Sequence, residues 1–299
     1  MNANRRYNSL SLLLVGLLVS LVSCTEDITL NTYDSDPVIV IYGTITDQPI
    51  HQEIKLSKST GYFDPNHNTK ISKATVSITT GSGTVYDLEE DSSQPGTYKT
   101  IDLLTGVPGE SYHLKVVVDF NADDVPETYE ADTTMPEKVA LDSVTVLNRI
   151  LVGYSYYSVN LYAQEPKGEN YYLCQFQIND TLYSKISQYT LLDDVTIENQ
   201  YIDGISCNYI ADSAERDEYK DNTDYETMLF VTEDDHVKLF FSNISKGYYD
   251  FLLQCQNEMN GEDPFFGGPF SNITTNISGG GVGYFTAIAL DEKETIAMK

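Results

Sequence analysis

The stretch PGESYHLKVVVD, residues 108–119, decides the fold class. Pro108 and Gly109 mark a turn. After them Tyr112, Leu114 and Val116 occupy alternate positions, the period that lines up side chains on one face of a β-strand. Working outward, the same short alternating pattern recurs in VIVIYGTI, EIKLSKS, ATVSITT, TVYDLEE and GTYKTI upstream and in TYEADTT downstream, each run bounded by turn residues. Seven short strands at this spacing predict a β-sandwich over residues 38–137, closed by Met135 and Pro136.

The second half, residues 138–299, stays β-rich: DSVTVL, YSYYSVNLYA, NYYLCQFQI, TMLFVT, HVKLFFSNI, GYFTAIALD and ETIAM all read as strands. One helix interrupts them. In GYYDFLLQCQNEMN, residues 247–260, Tyr248, Phe251, Leu252, Cys255 and Met259 form an apolar stripe at helical spacing, and Gly261 stops it. The expectation is therefore a mainly β, two-domain chain with one or two short helices. Between strands lies Asp193 to Glu226, where eleven acids meet only Arg216 and Lys220. This acidic insert reads as a solvated loop or as a loop that contacts a ligand or partner, with Asp212 placed to cap a short helix through Lys220. Within the first half, the segment Pro108 to Tyr112 resembles the tyrosine corner of immunoglobulin-like and fibronectin-like domains, in which a tyrosine hydroxyl bonds nearby backbone.

At the N-terminus Arg5 and Arg6 precede an apolar run, Leu10 to Val22, of thirteen residues. That is shorter than the ~20 residues a membrane-spanning helix needs, so the run reads as a signal peptide over residues 1–23. Its end, Leu21-Val22-Ser23-Cys24, resembles a bacterial lipobox. The resemblance makes Cys24 the lipidated mature N-terminus and the protein's link to a membrane. Residues 24–37 then form an acidic tether, and Thr25-Glu26-Asp27 resembles the surface-export signal of Bacteroidota lipoproteins. Loss of residues 1–23, which hold two arginines and no acid, moves the formal charge from −27 to −29. A surface of that sign repels phosphate backbones and excludes nucleic acid as a partner.

Catalytic motifs are missing. The chain has no His-Glu-x-x-His, Gly-x-Ser-x-Gly or Gly-x-x-x-x-Gly-Lys, and His51, His67, His113 and His236 are scattered, so no enzyme is expected. Gly279 to Gly283 fails as a phosphate cradle because a strand pattern follows it. Asp119, Asn121, Asp123 and Glu130 match four positions of a calcium loop, although Asp124 stands where glycine is wanted and Pro126 interrupts the course. The competing reading is an acidic hairpin tip, and calcium is the only cofactor the sequence raises. Strand alternation puts Tyr154, Tyr156 and Tyr162 on one face with Ser158 and Asn160, a candidate stacking platform for a small ligand, peptide or glycan. Tyr157, Val159 and Leu161 point to the core. Cys174, Cys207 and Cys255 read as small buried hydrophobes, with a disulfide between two of them as the alternative.

The helix at 247–260 followed by DPFFGGPFSNITTNISGGGVGYFTA, taken with VIVIYGTI, ATVSITT, GESYHLKV and the junction TTMPEKVALDSV, resembles a Bacteroidota lipoprotein family known as domain of unknown function 4249. The residues themselves read first as a structural corner and second as a partner or ligand surface. Gly279 to Gly281 permit positive φ, Asn272 and Asn276 bond turn backbone, and Phe265, Phe266, Phe270 and Phe285 supply apolar anchors. The resemblance implies a lipid-anchored, outward-facing outer-membrane protein that serves a TonB-dependent receptor as a non-catalytic accessory, capturing a ligand or gating the barrel. An adhesive or structural cell-surface protein is the alternative.

Overall fold

Alternation builds the first half. In β1 (Ile39–Thr46) every second residue is buried, beginning with Ile39 and Ile41. The succession continues through β2 (Glu53–Lys58), β3 (Thr69–Lys70), β4 (Thr75–Thr80), β5 (Val85–Glu90), β6 (Thr97–Thr100), β7 (Ser111–Val118) and β8 (Glu127–Thr134). Antiparallel pairing runs β1, β2, β6, β5, β4, β7, β8 across one sheet, which curls about Ile41, Ile54, Ile78, Leu114 and Val116. The tyrosine corner is present: Tyr112 is buried, and its hydroxyl accepts from Val107 N at 2.7 Å. The computed structural model describes residues 36–59, 69–222, 225–260 and 273–299. The expected signal peptide, Cys24, most of the tether, His67, Phe265, Phe266, Phe270 and Asn272 lie outside the described residues.

The second half comprises β9 (Leu141–Leu151), β10 (Tyr154–Gln164), β11 (Tyr171–Ile178), β12 (Thr181–Tyr183), β13 (Thr190–Asp193), β14 (Tyr201–Asp212), β15 (Phe230–Val231), β16 (His236–Ile244), helix α1 (Lys246–Asn260) and β17 (Val282–Met298). Strands β9, β10, β14 and β15 make one sheet. A second holds β11 between β16 on one side and β12 and β13 on the other. Their facing sides enclose Tyr157, Val159, Phe176, Leu239 and Phe241. Much of the acidic insert is therefore not a loop. Tyr201–Asp212 is a full partner of β10, and its strand period is hidden in the sequence by two register shifts opposite Val159/Asn160 and Leu161/Tyr162. Each shift adds a residue to β14 and breaks the alternation.

Strand β17 ties these parts together. The runs GYFTAIALD and ETIAM, separate strands in the sequence reading, form one strand of 17 residues, about 55 Å at roughly 3.3 Å per residue. Residues 282–288 lie parallel to β1, residues 289–296 lie antiparallel to β16, and Ala297 and Met298 lie parallel to β9. From Tyr284 to Ala289 both faces are buried. Phe285, Ala287 and Ala289 join the core of the first sheet, while Tyr284 and Ile288 join a third cluster beneath α1. Residues Pro37–Lys299 form one compact unit, so the two domains expected on either side of 137/138, between β8 and β9, are not separate units. Among the described residues no helix is long and apolar enough to cross a membrane.

The corner preceding β17 closes the first sheet. Asn276 Oδ1 accepts from Phe285 N at 3.0 Å, and Asn276 Nδ2 donates to Phe285 O at 2.7 Å. The same amide reaches Asp132 O at 3.3 Å on β8, and Ser278 N donates to Glu130 O at 2.8 Å. Residues 276–278 thus bridge the two edges of the curled sheet. Replacing Asn276 by Leu removes both bonds to the buried Phe285 peptide groups and should cost about 2–4 kcal/mol. Gly283 has φ +105°, and a Cβ there would stand 2.1 Å from Ile41 O, whereas Gly280, at φ +83°, faces open space. Gly283→Ala should therefore cost roughly 3 kcal/mol or more, against about 1 kcal/mol for Gly280→Ala from backbone strain alone. Urea melts decide the order; equal losses would refute close approach of β1 and β17 as the reason for Gly283.

Candidate ligand-binding groove

The face of β10 proposed as a platform is only partly assembled as one. Tyr157, Val159 and Leu161 enter the core as expected. On the opposite face Ser158 and Asn160 are also buried, because their side chains bond sideways. Ser158 Oγ donates to Leu147 O at 3.2 Å, and Asn160 Oδ1 accepts from Ser206 Oγ at 2.6 Å. This polar stretch separates Tyr162, which stands over Gly204, from Tyr154 and Tyr156. Tyr156 and Tyr162 are six residue steps apart along the strand, about 20 Å.

Tyr154 and Tyr156 instead share a neighbour from the acidic segment. Tyr219 donates a hydrogen bond to the Tyr156 hydroxyl at 2.9 Å, and its ring centre is 6.4 Å from that of Tyr154. Phe230 and Tyr225 continue the cluster, with the Arg216 guanidinium 4.4 Å from the Phe230 ring centre. Burial, then the Tyr156 bond, raises the Tyr219 pKa above its ordinary value. The segment that delivers Tyr219 is a 3-10 helix, Ser213–Tyr219, capped by Asp212 accepting from Ala214 N at 2.9 Å. Glu215 does not fold back on its own cap; it accepts from Ser155 N at 2.8 Å and so pins the segment to β10.

On its other side Tyr156 borders a groove of about 510 Å³. Asn208 to Ala211 of β14 form one wall, residues 187–190 a second, residues 227–229 a third, and Met259 the rim. Met259 is 53 % exposed, so the last turn of α1 leaves the apolar stripe predicted for it. The walls are fixed by hydrogen bonds. Gln256 Nε2 of α1 donates to Ile186 O and Tyr189 O, each at 2.9 Å, and Gln188 Nε2 donates to Thr227 O at 3.1 Å. Tyr189 donates to Ser184 O at 2.8 Å, and burial raises its pKa. Tyr209 remains 54 % exposed over the groove. None of the described lining residues carries a charge, in a chain of formal charge −27. Tyrosine rings, amides, hydroxyls and thioethers suit stacking and neutral hydrogen bonding.

The remaining candidates are dispersed. Asp119 Oδ1 and Oδ2 accept from Asp123 N and Asp124 N at 3.1 and 3.0 Å, Asp123 Oδ1 from Val125 N at 3.0 Å, and Asn121 bonds Glu127. Glu130 lies beside His113 at 3.7 Å. Among the described residues no group of three or more His, Cys, Asp or Glu is placed to hold a metal ion. His51 meets Thr100 O, and His236 meets Glu294; neither lines the groove. Tyr189, Asn208, Tyr209, Tyr219 and Met228 carry no signal in the sequence that marks them as site residues. Only the Asp212 cap of the segment that delivers Tyr219 is visible there.

Fold and groove together define a mainly β protein with one through-running strand and an uncharged aromatic groove beside its helix. The chain belongs to the family described as Domain of unknown function (DUF4249), which matches residues 25–294. No curated protein matches it.

Beneath the groove wall, the Tyr42 and Tyr248 hydroxyls share a 2.5 Å hydrogen bond, and burial raises both pKa values above the ordinary 10.0. The fold thus requires the neutral form. Stability is fully present below pH 10 and is lost as pH rises from there toward the higher folded-state values. The urea midpoint should hold steady up to about pH 9.5 and then fall. Combined Tyr42→Phe and Tyr248→Phe should make that fall shallower, and an unchanged slope would rule this pair out as a source.

Proposed function

We propose that this chain is a surface-exposed outer-membrane lipoprotein, anchored through Cys24, that serves a TonB-dependent nutrient importer as a non-catalytic accessory, capturing ligand for the barrel or gating it. The observation that carries the binding half of this reading is the groove between Tyr156, Tyr189 and Tyr209. It is aromatic, hydrogen-bonded into shape and free of charge on its described walls, although acids crowd the chain elsewhere. Such a lining favours a neutral amphipathic ligand, either an oligosaccharide or an uncharged peptide, over an ion or a phosphate ester. The signal-peptide pattern and the resemblance to a lipobox support the location, and the partner rests on the company that the family resemblance implies.

A second reading, an adhesive surface protein, draws on the β9–β10 hairpin tip. There Ile150, Leu151 and Val152 are 78, 55 and 90 % exposed, and Val152 adopts a left-handed φ of 53°. Apolar side chains presented at the cost of backbone strain suit contact with another surface.

Co-purification of the lipidated protein from outer membranes in mild detergent separates the two. The importer reading expects a stoichiometric β-barrel receptor; recovery alone or as a self-assembled polymer would favour adhesion. For the groove, calorimetric titration with neutral oligosaccharides and uncharged peptides should find a binder that Tyr209→Ala weakens at least fivefold, roughly 1 kcal/mol. Because Tyr209 is exposed, melting should be unchanged. Binding that survives Tyr209→Ala intact would remove the groove from consideration.

A further inference from the structure

Cys174 and Cys207 are thiols in the structure, 33 positions apart in sequence and buried in the same core cluster. Cys174 sits on β11, and Cys207 on β14 in the facing sheet. Their side chains adjoin within that buried cluster. The position of Cys207 is not that of an ordinary strand residue. Val159 pairs with Asn208 and Asn160 with Ser206, so Cys207 is the extra residue of a bulge, a device that re-aims a side chain. Here it turns the sulfur inward, onto Cys174. The third thiol, Cys255, is half-buried on α1 against a different cluster.

We infer that Cys174 and Cys207 are a cross-linking site that closes to a disulfide between β11 and β14 when the chain folds in an oxidising medium. Two S–H bonds break and one S–S bond forms, while the S–S bond of a small-molecule disulfide such as oxidised glutathione breaks and takes up the two electrons and two protons to give two thiols. Timing follows from burial. In the folded protein the contact with Cys207, and then desolvation, hold the Cys174 thiol well above its ordinary pKa, so the nucleophilic thiolate is scarce once the core has closed. The bond forms during folding, and afterwards the same burial shields it from reductants. It would span two facing sheets, as the inter-sheet bridge of antibody domains does. The inference is independent of the groove's ligand and of the importer.

The test refolds the chain in a mixture of oxidised and reduced glutathione, alkylates free thiols in denaturant and digests with trypsin without reduction. The expected product joins residues 168–185 to residues 186–216, with Cys255 recovered alkylated. A reductant should then lower the melting temperature by about 5–10 °C, and Cys174→Ser or Cys207→Ser should abolish that sensitivity. Recovery of both Cys174 and Cys207 alkylated, or of either joined to Cys255, overturns the assignment. Peptide mapping uses the unaltered chain, so it decides the matter even where a serine variant fails to fold.

Discussion

Tyr284 and Phe285 are neighbours in the chain, yet each must be buried against a different set of residues. Phe285 fills the core of the curled sheet, and Tyr284 lies under α1 against Tyr248 and Phe251. A strand buried on both faces has no solvent side to relax toward, so its register is fixed from two directions. The backbone is equally committed: β1 takes one edge over residues 282–288, and Asn276 supplies both bonds to Phe285 on the other. Everything downstream inherits that register, since the same strand becomes the partner of β16 and finally of β9.

The groove depends on this constraint through the helix. Helix α1 begins where Ser245 Oγ accepts from Tyr248 N, and it rests on the outward face of β17 through Tyr248, Phe251 and Leu252. Its far end places Gln256 under residues 186–190 and Met259 at the rim. The opposite wall comes from β14, whose course along β10 is set by its two bulges. A surface made of short, irregular segments is thus held by regular elements on two sides. That is the condition under which a binding surface can be largely formed before its ligand arrives.

The strands of the first half can be read directly because one period runs unbroken through each of them. Leu114 and Val116 of β7 are core residues, and the Tyr112 hydroxyl bonds backbone upstream as its turn context implies. Helix α1 is equally legible, to within one residue at its start. β14 is not, because the bulges at Gly204 and Cys207 destroy alternation and its acids make it resemble solvated loop. The groove is less legible still. Its walls come from segments that meet only after β10 and β14 pair and α1 docks. The tyrosines of β10 share a face in the sequence, but Asn160 and Ser158, reaching sideways to Ser206 and Leu147, divide that face in two. Local pattern specifies which side of a strand a residue occupies; it does not specify what covers that side.

The parallel pairing of β1 with β17 also has a mechanical meaning. The chain joins this unit at Pro37, immediately before β1, and β1 is flanked by β2 on one side and β17 on the other. A pull on the preceding chain along the strand axis loads both ladders in shear. Their hydrogen bonds then resist together, whereas a strand peeled from a sheet edge gives them up one at a time. Because β17 continues through the remaining sheets, that force is carried on to the strands behind the groove without crossing a hinge.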